Sequence, residues 1–136
     1  MPERQQPPRV LLADDDAAMR SAIPRLLSLS CEVVGCVADT AALFEAAERL
    51  RPDVVLLDFS LPGGMPGLEV VRRLKSMAPE VKVVAFTGHD DEELKRLAYQ
   101  AGASGYVWKL NAADELLPTI HAVVDGSAAA SGDDLP

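Results

Sequence analysis

The chain has 136 residues, 49% of them hydrophobic and 25% charged, a balance that excludes global disorder and suits one domain. Lys and Arg number 13 against 21 Asp and Glu, and the resulting net charge of −8 excludes general nucleic-acid binding by this domain. No apolar run approaches the roughly 18 residues of a membrane span, and no signal-peptide apolar region follows Met1-Pro2-Glu3-Arg4, so the expected address is the cytoplasm.

Residues 1–8 are polar and proline-flanked and read as a loose leader. Five short apolar or β-branched runs follow: Arg9 to Ala13, Glu32 to Val37, Asp53 to Leu57, Val81 to Phe86 and Gly105 to Trp108. Four are nearly continuous, as strands buried on both faces of a parallel sheet must be. Helix-like stretches alternate with them. Asp16 can cap Ala17 to Leu29, and Asp39 or Thr40 can cap Ala41 to Leu50. Gly67 or Leu68 opens a third helix running to about Met77. Asp90 precedes a fourth, whose first-turn acids suit a helix N-terminus and whose C-terminal cap is Gly102. Asn111 can cap Ala112 to Val124. Pro24 and Pro118 fall inside the first and last helices, where each deletes a backbone hydrogen bond.

This alternation predicts an α/β fold, a (βα)5 doubly wound parallel sheet over residues 9–126. Residues 127–136 read as a flexible tail or the start of a linker. Cys31 and Cys36 lie five apart around the second strand, where extended backbone separates them by roughly 16 Å. A disulfide needs under about 7 Å, and the spacing fits no zinc pattern, so both are expected to be packing thiols.

The strand ends carry the chemistry. The first strand runs into Asp14-Asp15-Asp16, the third into Asp58, the fourth into Thr87 and the fifth into Lys109. In the flavodoxin-like order 2-1-3-4-5 these four strands are consecutive neighbours, and their ends line one ligand-binding rim. Carboxylates so crowded repel one another unless a cation neutralises them, and a hard divalent ion such as Mg²⁺ suits oxygen ligands. A carboxylate nucleophile, Mg²⁺, a lysine and a hydroxyl together form a phosphoryl-transfer site. Asp16 alone reads as a helix cap, His89 and His121 as surface or packing residues. Gly63-Gly64-Met65-Pro66-Gly67 lacks the Lys-Ser/Thr of a phosphate loop and reads as a mobile loop.

The strings Leu12-Ala13-Asp14-Asp15-Asp16, Leu57-Asp58-Phe59-Ser60-Leu61-Pro62, Phe86-Thr87-Gly88-His89 and Gly105-Tyr106-Val107-Trp108-Lys109 resemble the receiver domain of two-component response regulators. The resemblance implies that Asp58 accepts a phosphoryl group from a histidine of a sensor kinase or histidine phosphotransfer protein. It implies that Asp15, Asp58 and the Ser60 backbone carbonyl bind Mg²⁺ directly, that Asp14 acts largely through water, and that Lys109 pairs with Asp58 or the phosphoryl group. Thr87 and Tyr106 match the switch pair that carries the signal to the last two strand–helix units, with a homodimer on phosphorylation as one outcome.

Three departures stand out: one extra residue between Asp58 and Gly67, Gly88 where Ala is commoner, and Leu110 where many members have proline. Without proline a cis Lys109–Leu110 bond costs about 2.5–4 kcal/mol, which predicts a trans bond. Lys-Leu and the run Ala101 to Tyr106 resemble receivers that precede LuxR-type helix-turn-helix domains. Two alternatives belong to other classes. An aspartyl-phosphate phosphohydrolase of the haloacid dehalogenase type needs an acid two residues after its nucleophile, where this chain has Ser60. A non-phosphorylated pseudo-receiver would not need the full acidic set with Lys109.

Overall fold

The computed structural model describes residues 6–126, so the tail and the first five leader residues lie outside the described residues. Five strands, β1 (Arg9–Ala13), β2 (Glu32–Val37), β3 (Val54–Leu57), β4 (Lys82–Thr87) and β5 (Gly105–Trp108), alternate with five helices. These are α1 (Ala17–Leu27), α2 (Thr40–Leu50), α3 (Gly67–Met77), α4 (Glu92–Ala101) and α5 (Ala112–Val124). The strands form one parallel sheet in the order β2-β1-β3-β4-β5, as expected.

Side-chain alternation along each strand splits the core into two layers. Leu11, Val55, Leu57 and Val83 meet α2, α3 and α4 through Leu43, Val71, Leu74 and Ala98. Leu12, Leu56, Phe86 and Val107 meet α1 and α5 through Ile23, Leu27, Leu116 and Ile120. β1, β3 and β4 are buried throughout or nearly so, whereas β2 is half-exposed because it is the edge strand beyond β1. Cys31 is buried but Cys36, on that edge, is exposed, so only Cys31 meets the expectation of a packing thiol. Partial burial of the thiol raises both pKa values, opposed at Cys36 by the charge of Arg20.

Local chemistry sets the helix starts. Asp16 accepts a hydrogen bond from the Ala18 amide and Asp39 from the Ala42 amide, so Asp39 rather than Thr40 caps α2. α4 is capped by Asp91 through the Glu93 and Leu94 amides and begins at Glu92, within the acidic run expected at its N-terminus. α1 stops two residues short of Leu29, and it and α5 both run through their prolines. Asn111 precedes α5 without a side-chain cap bond, because Lys109–Asn111 form a 3-10 turn that leads the chain into the helix. At the amino edge the Arg9 amide donates to Asp53 Oδ2 and its guanidinium to the Leu50 and Arg51 carbonyls, which fixes where β1 and β3 start.

The docking of α5 leaves no space at the start of β5. A Cβ on Gly105 would lie 2.9 Å from Thr119 Cγ2 and 3.3 Å from Val84 Cγ2. Gly105→Ala should therefore lower stability by about 1–3 kcal/mol through overpacking. Urea unfolding checks this: the midpoint should fall at unchanged slope, and an unaltered midpoint would contradict the close approach.

Candidate functional site

The sheet order brings the ends of β1, β3, β4 and β5 together at one edge, and the backbone fixes each functional residue there. The Asp14 amide donates to the Val37 carbonyl at 3.0 Å, and the Asp58 amide to the Ala13 carbonyl at 3.0 Å. Asp14 Oδ1 accepts from the Asp16 amide at 2.9 Å, and Asp58 Oδ1 from the Ser60 amide at 2.9 Å. Each carboxylate is thus held by the turn that follows its own strand. Asp14 is fully buried and Asp58 nearly so, whereas Asp15 is exposed. Carboxylate oxygens of Asp14, Asp15 and Asp58 all lie within 4.8 Å of one another.

Lys109 enters from the turn just after β5. Its Nζ is 2.7 Å from Asp14 Oδ2 and 3.3 Å from Asp58 Oδ2, and 5.8 Å from the centroid of the Phe86 ring. β5 ends at Trp108, so the ammonium reaches the carboxylates from the 3-10 turn rather than from a regular strand. No peptide bond among the described residues is cis, so Lys109–Leu110 is trans as expected. The contact with Asp14 Oδ2 is the shorter of the two ion pairs. Burial pulls the Lys109 pKa down, but the Asp14 and Asp58 carboxylates outweigh it and the net shift is upward. Burial lifts the Asp58 carboxyl above its ordinary value, helped by the Asp14 charge and opposed by the Ser60 amide and Lys109.

Thr87 closes β4 and is buried, and its Oγ1 accepts from the His89 amide at 3.2 Å. Tyr106 is buried on the α4 side of β5 and donates its hydroxyl to the His89 carbonyl at 2.6 Å. Sequence reasoning placed Asp14, Asp15, Asp58, Thr87 and Lys109 at one edge; the structure brings the three aspartates and Lys109 together there, and Thr87 ends the neighbouring strand β4.

It did not foresee three contacts. Trp108 donates its indole N–H to the Gly88 carbonyl at 3.3 Å, and Arg20 of α1 donates to the Asp14 carbonyl at 3.1 Å. The third ties the start of the loop after Asp58 to the second helix. The Thr40 amide, at the start of α2, donates to the Pro62 carbonyl at 3.0 Å. Gly63 lies at φ +139°, and a Cβ there would sit 1.9 Å from Thr40 Oγ1. The loop is docked on α2 at a point only glycine can occupy.

This constellation has known counterparts. Residues 10–121 match the response regulator receiver domain family. The chain belongs to that family. The nitrate/nitrite response regulator protein NarL of Escherichia coli is 34% identical over 124 residues, which are 90% of this chain and 57% of that protein. The oxygen regulatory protein NreC of Staphylococcus epidermidis is 32% identical over 120 residues, 87% of this chain and 55% of that one. This receiver domain therefore spans about half the length of these curated relatives. A LuxR-family two-component response regulator from Aurantimonas superposes with a TM-score of 0.86 at 32% identity, covering 94% of this chain and 92% of that one. The expected likeness to LuxR-linked receivers agrees with that match. Among the described residues no helix is long and apolar enough to cross a membrane.

A carboxyl whose folded pKa lies above its unfolded value costs stability as pH rises through the interval between the two. Asp58 is such a group. Asp58→Asn removes the ionisation, so in metal-free buffer at pH 7 it should raise the urea midpoint. The advantage should shrink as pH falls below the ordinary carboxylate range. A midpoint at pH 7 equal to or below the parent's would contradict the crowding described here.

Proposed function

We propose that this receiver domain is a phosphorylation-controlled switch in which Asp58 accepts a phosphoryl group from a histidine of a sensor kinase or histidine phosphotransfer protein. The observation that carries the reading is Lys109 Nζ set against Asp14 and Asp58, each just past the end of a strand that the sheet order brings to the same edge. The residues fit a hard divalent cation. Three carboxylates offer oxygen donors within 4.8 Å, and a single ammonium offsets their charge. Asp15, Asp58 and the Ser60 backbone carbonyl would hold Mg²⁺ directly, with Asp14 acting through water. When bound, the ion supplies charge neutralisation for the carboxylates and the incoming phosphoryl oxygens.

The chain's own residues then do the positioning. An Asp58 carboxylate oxygen forms the new P–O bond as the P–N bond to the donor histidine breaks, and the leaving imidazole takes up a proton. The Ser60 amide holds Oδ1 and so orients the carboxylate. Lys109 transfers its ion pair from Asp58 to a phosphoryl oxygen. Thr87 Oγ1 already accepts from the His89 amide, so its own proton is available to donate to the phosphoryl group. Tyr106, bonded to the carbonyl of that same His89, carries the change to the surface of α4, β5 and α5, which controls the output. Phosphorylation-dependent homodimerisation at that surface would be one form of output. The domain self-catalyses its phosphotransfer and dephosphorylation, has no metabolic turnover, binds no nucleic acid directly at a net charge of −8, and works in the cytoplasm.

Acetyl phosphate with Mg²⁺ should add one acid-stable, base-labile phosphate to the parent and none to Asp58→Asn. Labelling of that variant as strong as the parent's would reject Asp58 as the acceptor. Trp108, the only tryptophan, should change its fluorescence on addition of Mg²⁺ with beryllofluoride, and less so in Thr87→Ala.

A further inference from the structure

We propose that Trp108 is a positioning residue for the phosphoryl site, its indole N–H tethering the loop that carries Thr87 and offsetting the backbone freedom of Gly88. The proposal rests on the reading of Asp58 as phosphoacceptor. Thr87 and Trp108 are register partners across β4 and β5. Trp108 is half-buried and donates to the Gly88 carbonyl at 3.3 Å, while Tyr106, two residues earlier on the same side of β5, donates to the His89 carbonyl at 2.6 Å. Two successive carbonyls of one exposed loop are thus held by two aromatic donors from one strand. The His89 amide between them donates to Thr87 Oγ1 and so fixes the hydroxyl that would face the phosphoryl group.

Gly88 makes the tether necessary. Its φ lies outside the left-handed region and a Cβ there would meet nothing within 4 Å, so neither conformation nor space calls for glycine. Glycine at this position only adds conformational freedom. That freedom sits directly after Thr87, and the indole bond falls on the same residue. Trp108 also immediately precedes Lys109, whose Nζ lies against Asp14 and Asp58. One side chain therefore restrains the loop on one flank of the site while its neighbour in sequence supplies the cation on the other.

The test compares the parent, Trp108→Phe and the double variant Trp108→Phe/Gly88→Ala. Phenylalanine keeps an aromatic body and removes the N–H. Alanine restores backbone restraint at a position with room for it. The readouts are hydrogen exchange at the His89 amide without metal, and beryllofluoride occupancy in saturating Mg²⁺ by fluorine NMR. Trp108→Phe should speed His89 exchange and weaken beryllofluoride binding on the order of two- to tenfold, the range for one net hydrogen bond. The double variant should slow exchange again and regain most of the affinity, which loss of general packing would not allow. A parent that binds beryllofluoride no better than Trp108→Phe overturns the proposal alone, as does a double variant no better than the single one. A parent that binds none overturns the reading of Asp58, and this proposal with it.

Discussion

Like charges crowded at the carboxyl edge of the sheet set the terms for everything around them. Carboxylate oxygens of Asp14, Asp15 and Asp58 lie within 4.8 Å of one another, two of the groups are buried, and the ammonium of Lys109 stands against them. Two unit charges about 4 Å apart repel by roughly 4 kcal/mol at the effective dielectric of a protein surface, so the cluster persists only where the rest of the fold enforces it. With all three acids ionised, three negative charges against one positive leave a formal excess of two, the charge of one divalent cation. The parallel sheet does the enforcing. Its buried central strands cannot slide by one residue without turning their side chains to the other layer, so the two aspartate-bearing ends stay side by side.

The loops around the cluster are tied to the scaffold at single, identifiable points. The loop after Asp58 docks on the first amide of α2 at Pro62, and Gly63 allows Thr40 to approach. The loop after Thr87 is held by Tyr106 and Trp108 of β5. Arg20 of α1 holds the carbonyl of Asp14 from a third direction. A change at the carboxylates therefore has a short route through Lys109 to β5 and to the loop that precedes α4. The switch reading needs that route, because a ligand shifts an equilibrium only through contacts that differ between its states.

Much of this was legible in the sequence because it depends on local chemistry. Continuous apolar runs gave the buried strands, and the polar residue ending each run gave the site. Asp16 and Asp39 announced their helices through capping. What escaped depends on contacts between segments distant in sequence. Thr40 and Pro62 meet only after β2 and β3 have taken their places on either side of β1, and nothing local to either residue signals it. Cys36 resembled a core thiol because its strand is apolar, but β2 is an edge strand, and an edge exposes what a central strand buries. The 3-10 turn at Lys109 was also invisible, since Lys-Leu-Asn carries no signal separating it from strand or helix.

An acidic edge suited to a divalent cation should gain stability when one binds, and thermal unfolding with and without Mg²⁺ reads that gain. A ligand that binds only the folded state raises stability with its concentration, by about 2.7 kcal/mol at a hundred times its dissociation constant. The parent should melt at a progressively higher temperature as Mg²⁺ rises from zero to tens of millimolar at fixed ionic strength. Asp15→Asn, which neutralises one exposed carboxylate and leaves the Lys109 contacts in place, should lose most of that gain. A melting temperature that ignores Mg²⁺ in the parent, or that rises equally in Asp15→Asn, would contradict the account.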